Sequence, residues 1–358
     1  MDVHASPAEL PELQEFLGAF QVGFRRPEGR KALERDTIGL LTEVPNKNCD
    51  TLAQAVPGTS EQRLQEFRTN MQWDEDDLNR QRVQKMVAEV RRGEGVLRFD
   101  DTGFAKQGQT SVGVARQYSG TLGKVGNCQV AVTCCYSDAQ ATWPVAVCVS
   151  LPQRWADDPE RRRQARVPAE VGFHTKPEMA LALLDQARVW GVPHRWIVAD
   201  ADYGDNPHLL AGLEARQERY VVAVRADVGV RLRNTTASWV WRADALLETV
   251  PRWQWRTIRW RRGTKGWRRQ KFVAVRCWRM TRDGQRLEGW LLGERAPEGS
   301  PRNGNISGVM CRPRLPSKSW PVWRIGGMRS SRFMKRRRGS WAGTSTKGAC
   351  GRGFIGMR

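Results

Sequence analysis

Residues 95–104 read "GVLRFDDTGF", a short apolar run that closes on two carboxylates, Asp100 and Asp101. Such a run, bounded by Gly and Asp, suits a strand buried in a sheet. The stretches that follow share this character. "NCQVAVTCCYS" (127–137) and "WPVAVCVSL" (143–151) are rich in Val and Cys, as strands buried on both faces are. "HTKPEMALALLDQARVWGVP" (174–193) then changes to a helical pattern, in which Thr175 can cap, Pro177 falls in the first turn and Gly191 stops the helix. "HRWIVADADYGD" (194–205) is another strand that ends on an acid, Asp200, and "HLLAGLEARQERYVVAVRA" (208–226) supplies a helix and a further buried strand. Strands alternating with helices predict an α/β layer with some parallel pairing over residues 95–232.

Two predicted strands therefore end in Asp. Ligands of open α/β sheets gather beyond the carboxyl ends of strands. Asp100 and Asp200, brought together there, would offer the hard oxygen ligands that Mg2+ or Mn2+ takes. A pair of such ions activates an attacking oxygen and stabilises the leaving oxygen of a phosphodiester. Asp after a strand is also a common turn residue, so spacing by itself leaves both readings open. It also leaves open whether Asp100 or Asp101 binds metal, because successive strand residues face opposite ways.

Composition narrows the partner. A 358-residue chain with a net charge of +21 favours a polyanion, most often nucleic acid. No apolar run approaches the ~18 residues of a spanning helix, so no membrane partner is expected. The start, "MDVHASPAELPELQEF", is acidic and polar, unlike a secretory leader. The 8 Cys form no CxxC pair or Cys/His cluster, and only 4 His accompany them, which argues against zinc. The thiols are expected as small apolar residues in a reducing cytoplasm.

The flanks of the α/β layer differ from it. Residues 1–94 are predicted to form a helical region that binds DNA. "ELPELQEFLGAF" (9–20) spaces Leu10, Leu13, Phe16, Leu17 and Phe20 at three and four. Thr59 and Gln62 have capping-box spacing. The acids from Asp74 to Asp77 read as a helix start in preference to a metal site, because consecutive acids on a helix point in different directions. On the other side, residues 233–293 hold 8 of the 16 Trp. "WQWRTIRWRRGTKGWRRQKFVAVRCWRM" (253–280) alternates apolar residues with Arg around a Gly-Thr-Lys-Gly turn. That pattern predicts a β-hairpin with one buried and one basic face. Arg256, Arg259, Arg261 and Lys265 are its candidate phosphate contacts, against a plain Trp core with a solvated basic face.

Several longer stretches carry a resemblance. "FDDTGFAKQGQTSVGVARQYSGTLGKVGNCQVAV", "LPQRWADDPERRRQARVP", "FHTKPEMA" and "DADYGDNPHLLAGLEAR" together resemble insertion-sequence transposases of the DDE superfamily. The subgroup is the one whose first acidic motif reads DDTGF-x-K-x-G. "QWDEDDLNRQRV" in the helical part belongs to the same resemblance, and several long motifs in order are far more specific than one short pattern. The resemblance implies an RNase H-like catalytic domain in which Asp100, Asp200 and a later Glu surround two metal ions. It implies hydrolysis of DNA at transposon ends and attack of the freed 3′-hydroxyl on target DNA, by an oligomer that pairs two ends in the bacterial cytoplasm, at the nucleoid. Asp100 matches the first acid, with Asp101 as its rival, and Asp200 matches the second. Lys106, Arg116, Gln117 and Tyr118 fall in matching stretches and suit phosphate or DNA-end contacts as well as structural roles. The Trp-rich segment falls where such transposases carry a mostly β insertion.

The pattern then calls for a helix with Arg, three residues, Glu, six residues and Lys. No residue after Glu298 is acidic, and residues 301–358 carry 14 Lys and Arg with no Asp or Glu. Ordinary domains mix both signs, so residues 294–358 are a compositionally foreign tail. A reading frame shifted back by one base offers an explanation. In that frame Met334–Lys335 must encode Glu, Ser330–Ser331 can encode Glu, and permitted codons allow "RYAVEQVHEEAK", a helix with the required spacing. The basic run "MRSSRFMKRRRGSW" (328–341) then marks the place of the third acid in the wrong frame. Its rival reading is a genuine nucleic-acid-binding arm. The sequence thus predicts a transposase that is defective for want of its third acid, with a non-catalytic DNA-binding remnant, or repressor of the element, as the alternative.

Overall fold

The computed structural model describes residues 11–20, 23–24, 26–71, 73–90, 95–232, 239–263, 266–280, 286–295 and 308–311. The chain opens with helices α1 (Pro11–Gly18), α2 (Pro27–Leu41), α3 (Cys49–Ala55), α4 (Glu61–Thr69) and α5 (Glu75–Glu89). Each start has a local cause. Pro27 sits in the first turn of α2, Asn48 and Thr51 form a reciprocal capping box on α3, and Asp74 accepts from Asp77 N (2.9 Å) on α5. The acids at 74–77 are therefore a cap and a first turn, with Asp77 also paired to Arg80. The cap of α4 is Ser60, which accepts from Arg63 N (3.3 Å), and not Thr59. The Pro57–Gly58 turn uses the chain up to Thr59, so Ser60 is the first residue whose hydroxyl reaches the helix.

Phe24, Phe67 and Trp73 pack as an aromatic knot, with ring centroids 4.6 Å apart for Phe67 and Trp73. Arg68 meets Asp36 at 2.6 Å beneath it. Helix α5 leaves this group and leans on the sheet that follows. Its buried Val83 joins the sheet core, and Arg82 donates to the carbonyls of Pro144 (2.6 Å) and Val145 (2.8 Å).

The sheet begins with β1 (Val96–Ala105), β2 (Ala115–Ser119), β3 (Lys124–Ser137) and β4 (Thr142–Val149). The short helices α6 (Gln153–Ala156) and α7 (Pro159–Gln164) lead to α8 (Lys176–Val189), capped by Thr175 with Glu178 and ended at Gly191, whose φ is 71°. Then come β5 (Trp196–Ala199), α9 (Ala201–Gly204), α10 (Pro207–Ala215) and β6 (Tyr220–Val224). Strand β3 is antiparallel to both β1 and β4, and β5 and β6 run parallel to β1. This mixed α/β arrangement is consistent with an RNase H-like domain. One face of the sheet presents Leu97, Phe99, Ile197, Ala199 and Val222 to Leu183 and Leu184 of α8 and Leu209, Leu210 and Leu213 of α10. Burying side chains of this size contributes about 1.5–3 kcal/mol each, which is why the helices dock there. The opposite face carries Val96, Trp196, Val198 and Val221, packed against Trp290 and Leu292.

The chain continues through β7 (Gly229–Leu232), β8 (Trp241–Arg242), α11 (Ala243–Thr249), β9 (Arg256–Gly263), β10 (Gly266–Met280), β11 (Arg286–Arg295) and β12 (Gly308–Cys311). These strands extend the same sheet in the order β6–β12–β11–β10. The hairpin expected around residues 264–265 forms between β9 and β10, but its register departs from simple alternation. Trp260 is an extra residue opposite Arg268 and Arg269, a bulge that breaks the period of two. The tryptophans divide as well. Trp255 is buried beneath Arg295 (4.6 Å), whereas Trp253 is 81% and Trp267 57% exposed. In the tail, Gly308–Cys311 forms the strand β12 between β6 and β11, while Ser330, Ser331 and the basic run at 328–341 lie outside the described residues.

Candidate active site

Parallel pairing matches Val96 with Trp196, Leu97 with Ile197, Arg98 with Val198 and Phe99 with Ala199. The next residue on each strand is an acid, so Asp100 and Asp200 leave the ladder side by side. The two strands then behave differently. β1 does not end at its carboxylates; it stays paired with β3 as far as Ala105 opposite Cys128, while β5 stops at Ala199. From Asp100 onward β1 therefore has no β5 partner on that edge.

Alternation assigns the two neighbouring acids to different faces. Asp100 follows Val96 and Arg98 onto the face shared with Trp196, Val198 and Asp200. Asp101 follows Leu97 and Phe99 onto the helix-covered face, where its carboxylate is already engaged. The Tyr203 hydroxyl donates to Asp101 Oδ1 at 2.5 Å, and Lys176 Nζ, at the start of α8, donates to Oδ2. Tyr203 is buried, and burial together with the charge and hydrogen bond of Asp101 pushes its phenol far above the usual range, so it remains a donor. Asp100 accepts from Asp101 N through Oδ1 (2.8 Å), and its carbonyl accepts from Thr133 Oγ1 (3.0 Å).

Asp200 caps α9, accepting from Asp202 N at 3.1 Å. Part of the residue stays open to solvent, yet its carboxyl is pushed up to about 6, first by burial and then by the charges of Asp202, Asp100 and Asp101. Burial and proximity of like charge both resist ionisation of a carboxyl. The turn that follows is held tightly to the sheet: a Cβ on Gly204 would lie 1.9 Å from the Ala223 carbonyl. Among the described residues no group of three or more His, Cys, Asp or Glu is arranged to hold a metal ion. Asp100 and Asp200 offer the kind of oxygen donor that a hard divalent cation takes, and among the described residues no third acid completes such a group. Cysteine offers no substitute. Burial raises Cys134, pushes Cys148 up to about 11 and Cys277 up to about 12, so these thiols stay protonated.

The other sequence candidates lie apart from the acids in differing degrees. Lys106 follows β1 directly, and its backbone is clamped by Asn127 in both directions (3.0 and 2.8 Å). Arg116 and Tyr118 are exposed on β2, whereas the Gln117 side chain is turned to the Cys128 carbonyl at 2.9 Å, a structural contact. Arg256 and Arg259 are both exposed on β9. Three residues apart on a strand, they project from opposite faces, so these two do not share the single basic face expected from the sequence. The Arg261 side chain and Lys265 lie outside the described residues. Lys176 and Tyr203 were missed as site residues, although both sit inside motif stretches, "FHTKPEMA" and "DADYGD". No local signal in the sequence ties them to Asp101.

Residues 19–267 match the family model of the DDE superfamily endonucleases. The chain belongs to that family. It is 25% identical over 290 residues to a protein of Microchaete diplosiphon described as "Probable transposase for insertion sequence element IS701", an alignment spanning 76% of this chain and 69% of the relative. Among solved structures, the NurA nuclease from Sulfolobus solfataricus aligns over 76% of this chain and 82% of that one, at 11% identity and a TM-score of 0.30.

Proposed function

We propose that this chain derives from an insertion-sequence transposase that cleaves DNA at the ends of its element and joins the freed 3′-hydroxyl to target DNA. The observation that supports this reading is the parallel register that ends at Phe99 and Ala199, each followed directly by an acid, Asp100 and Asp200, in a chain of the DDE endonuclease family. Bound divalent metal, Mg2+ or Mn2+, would supply activation of the attacking oxygen and charge neutralisation at the scissile phosphate. Asp100 and Asp200 would hold it, and a bound cation would offset the burial and like charge that raise the Asp200 carboxyl. Asp101 is a positioning residue in this reading, because Lys176 and Tyr203 already take both of its oxygens. Lys106, Arg116, Arg256, Arg259, Arg261 and Lys265 are the proposed phosphate contacts, and the helices before residue 95 the proposed DNA-binding region. Among the described residues no helix is long and apolar enough to cross a membrane. The active protein would be an oligomer acting at the bacterial nucleoid.

The printed chain is defective in this reading. No acid follows Glu298, so it lacks the third carboxylate, whose codon falls across Ser330 and Ser331 in the frame one base back. The purified 358-residue chain is expected to leave a plasmid bearing the element's ends intact in Mg2+, and the frame-restored chain to cut it. Cleavage by the printed chain, or codons after Arg302 that fail to spell the helix in the shifted frame, would overturn the defect. The net charge of +21 supports a second reading, a non-catalytic DNA-binding remnant that occupies the ends and represses the element. Preference for the ends over unrelated duplex in a salt titration would distinguish that role.

A further inference from the structure

The β2–β3 hairpin presents a surface that neither the core nor the acid pair uses. Tyr118 and Val125 are direct cross-strand partners, so they share one face. They are 59% and 52% exposed, and Leu122 at the turn is 37% exposed. A cross-strand pair stabilises a hairpin by only about 0.2–1 kcal/mol, which gives little reason to leave an aromatic ring and two aliphatic side chains in water. Arg116 lies one alternation along the same face, opposite Asn127. It is exposed and makes no ion pair among the described residues. From residue 102 to 137 the sequence contains Lys106, Arg116 and Lys124 and no Asp or Glu, so nothing there repels a polyanion.

The hairpin is also fixed beside the acids. In β1 the even-numbered amides face β3, as Lys106 N donating to the Asn127 carbonyl shows, which turns Gly103 N toward the edge that β5 has left. That amide donates to Thr121 Oγ1 in the hairpin turn at 3.3 Å. Ser119, 1% exposed, lies against Gly103 so closely that a Cβ there would be 2.1 Å from its Oγ. The hairpin thus curls over the end of β1 and docks two residues beyond Asp101, with Tyr118, Val125 and Arg116 turned outward.

We propose that this outer face is a stacking platform for an unpaired nucleotide of the DNA held at the acid pair, with the base on Tyr118 and Val125 and its phosphate on Arg116. Exposed aromatics beside cations recognise single-stranded nucleic acid in this way, because every base has a π-face. The proposal rests on the nuclease reading of Asp100 and Asp200, and it names the part of the substrate that the neighbouring surface takes.

The test uses the full chain in buffer without divalent metal. Two duplexes share one sequence, one blunt and one with a short unpaired 3′ extension carrying 2-aminopurine. The wild-type chain is expected to bind the extended duplex more tightly and to change the 2-aminopurine emission. Tyr118→Ala is expected to lose that advantage by about fivefold or more, while Tyr118→Phe keeps it because the ring, not the hydroxyl, does the stacking. Arg116→Ala is expected to weaken the extended duplex more than the blunt one and to lower the salt slope of the extended duplex by about 0.7. An extension that brings no advantage overturns the proposal. So does a Tyr118→Ala chain that keeps the advantage, or a Tyr118→Phe chain that loses as much as Tyr118→Ala. Tyr118 is exposed, so its variants should fold, and circular dichroism checks this. A separate Mn2+ titration of wild type against Asp200→Asn reads the acid pair, so failure of the platform and failure of the nuclease reading are told apart.

Discussion

The β1–β5 pair and the β9–β10 hairpin both attach charged residues to strands, and they treat them in opposite ways. In the first, four parallel rungs bring Asp100 and Asp200 together from one hundred residues apart in sequence. In the second, antiparallel neighbours a few residues apart scatter their arginines, because Trp260 adds a residue to one strand and Arg256 and Arg259 project from opposite faces. Register concentrates charge where buried side chains lock the rungs, as Leu97, Phe99, Ile197 and Ala199 do under α8 and α10. A one-residue slip would put their apolar set on the wrong face. The long hairpin tolerates a bulge because much of it faces water, with Arg256, Thr257, Arg259, Trp267 and Arg269 all exposed.

Breaking the acid pair should have the largest effect. In the frame-restored chain, Asp200→Ala is expected to cut plasmid cleavage by at least about a hundredfold, the scale of a misplaced reacting group, read as linear product in Mg2+. Cleavage that survives this change would remove Asp200 from the site. Loosening its support should cost less. Tyr203→Phe deletes one hydrogen bond to a carboxylate, worth about 1.5–3 kcal/mol, and so should slow cleavage by roughly tenfold to a hundredfold with Mn2+ stoichiometry unchanged. Loss of bound Mn2+ in Tyr203→Phe would instead make Asp101 a ligand.

A third effect concerns stability and its pH dependence. The folded pKa of Asp200, about 6, lies above its ordinary value of 3.8. A raised acid favours the fold only while protonated, so stability should fall as pH rises from near 4 through about 6, and the deficit should persist at neutral pH. Asp200→Asn removes the charge. It is expected to stabilise the printed chain at pH 7.5 and to change little at pH 4, in urea unfolding. A shift of this size fully buried would correspond to about 3 kcal/mol, and partial solvent access reduces it to about 1 kcal/mol. Equal effects at both pH values would show that the acids do not crowd one another. The smallest effect belongs to the scattered hairpin. Arg259→Ala should lower duplex affinity slightly and the salt slope by about 0.9, and a much larger loss would mean that β9 is a central DNA contact after all.

Much of this was legible in the order of residues. The α/β alternation, the cap at Thr175, the stop at Gly191 and the acids after two apolar runs all follow from local chemistry, in which each signal lies within a few residues of its effect. The cap of α4 moved from Thr59 to Ser60 for a reason nearly as local, the span of the preceding turn. Other features were not legible. Arg82 reaches carbonyls more than sixty residues away, Lys176 and Tyr203 meet Asp101 from two later elements, and the β2–β3 hairpin curls onto Gly103. Each depends on where packing carries a strand or helix, and no periodicity records that.

Asp100 and Asp101 mark the boundary between the two kinds of knowledge. The sequence by itself determined that acids follow two buried apolar runs and that nothing acidic follows Glu298, since identity and order need no fold to be read. Only the tertiary structure decided which neighbour stands with Asp200. Adjacent strand residues face opposite sides of a sheet, and the pairing of Phe99 with Ala199 turned Asp100 toward Asp200 and left Asp101 to Lys176 and Tyr203.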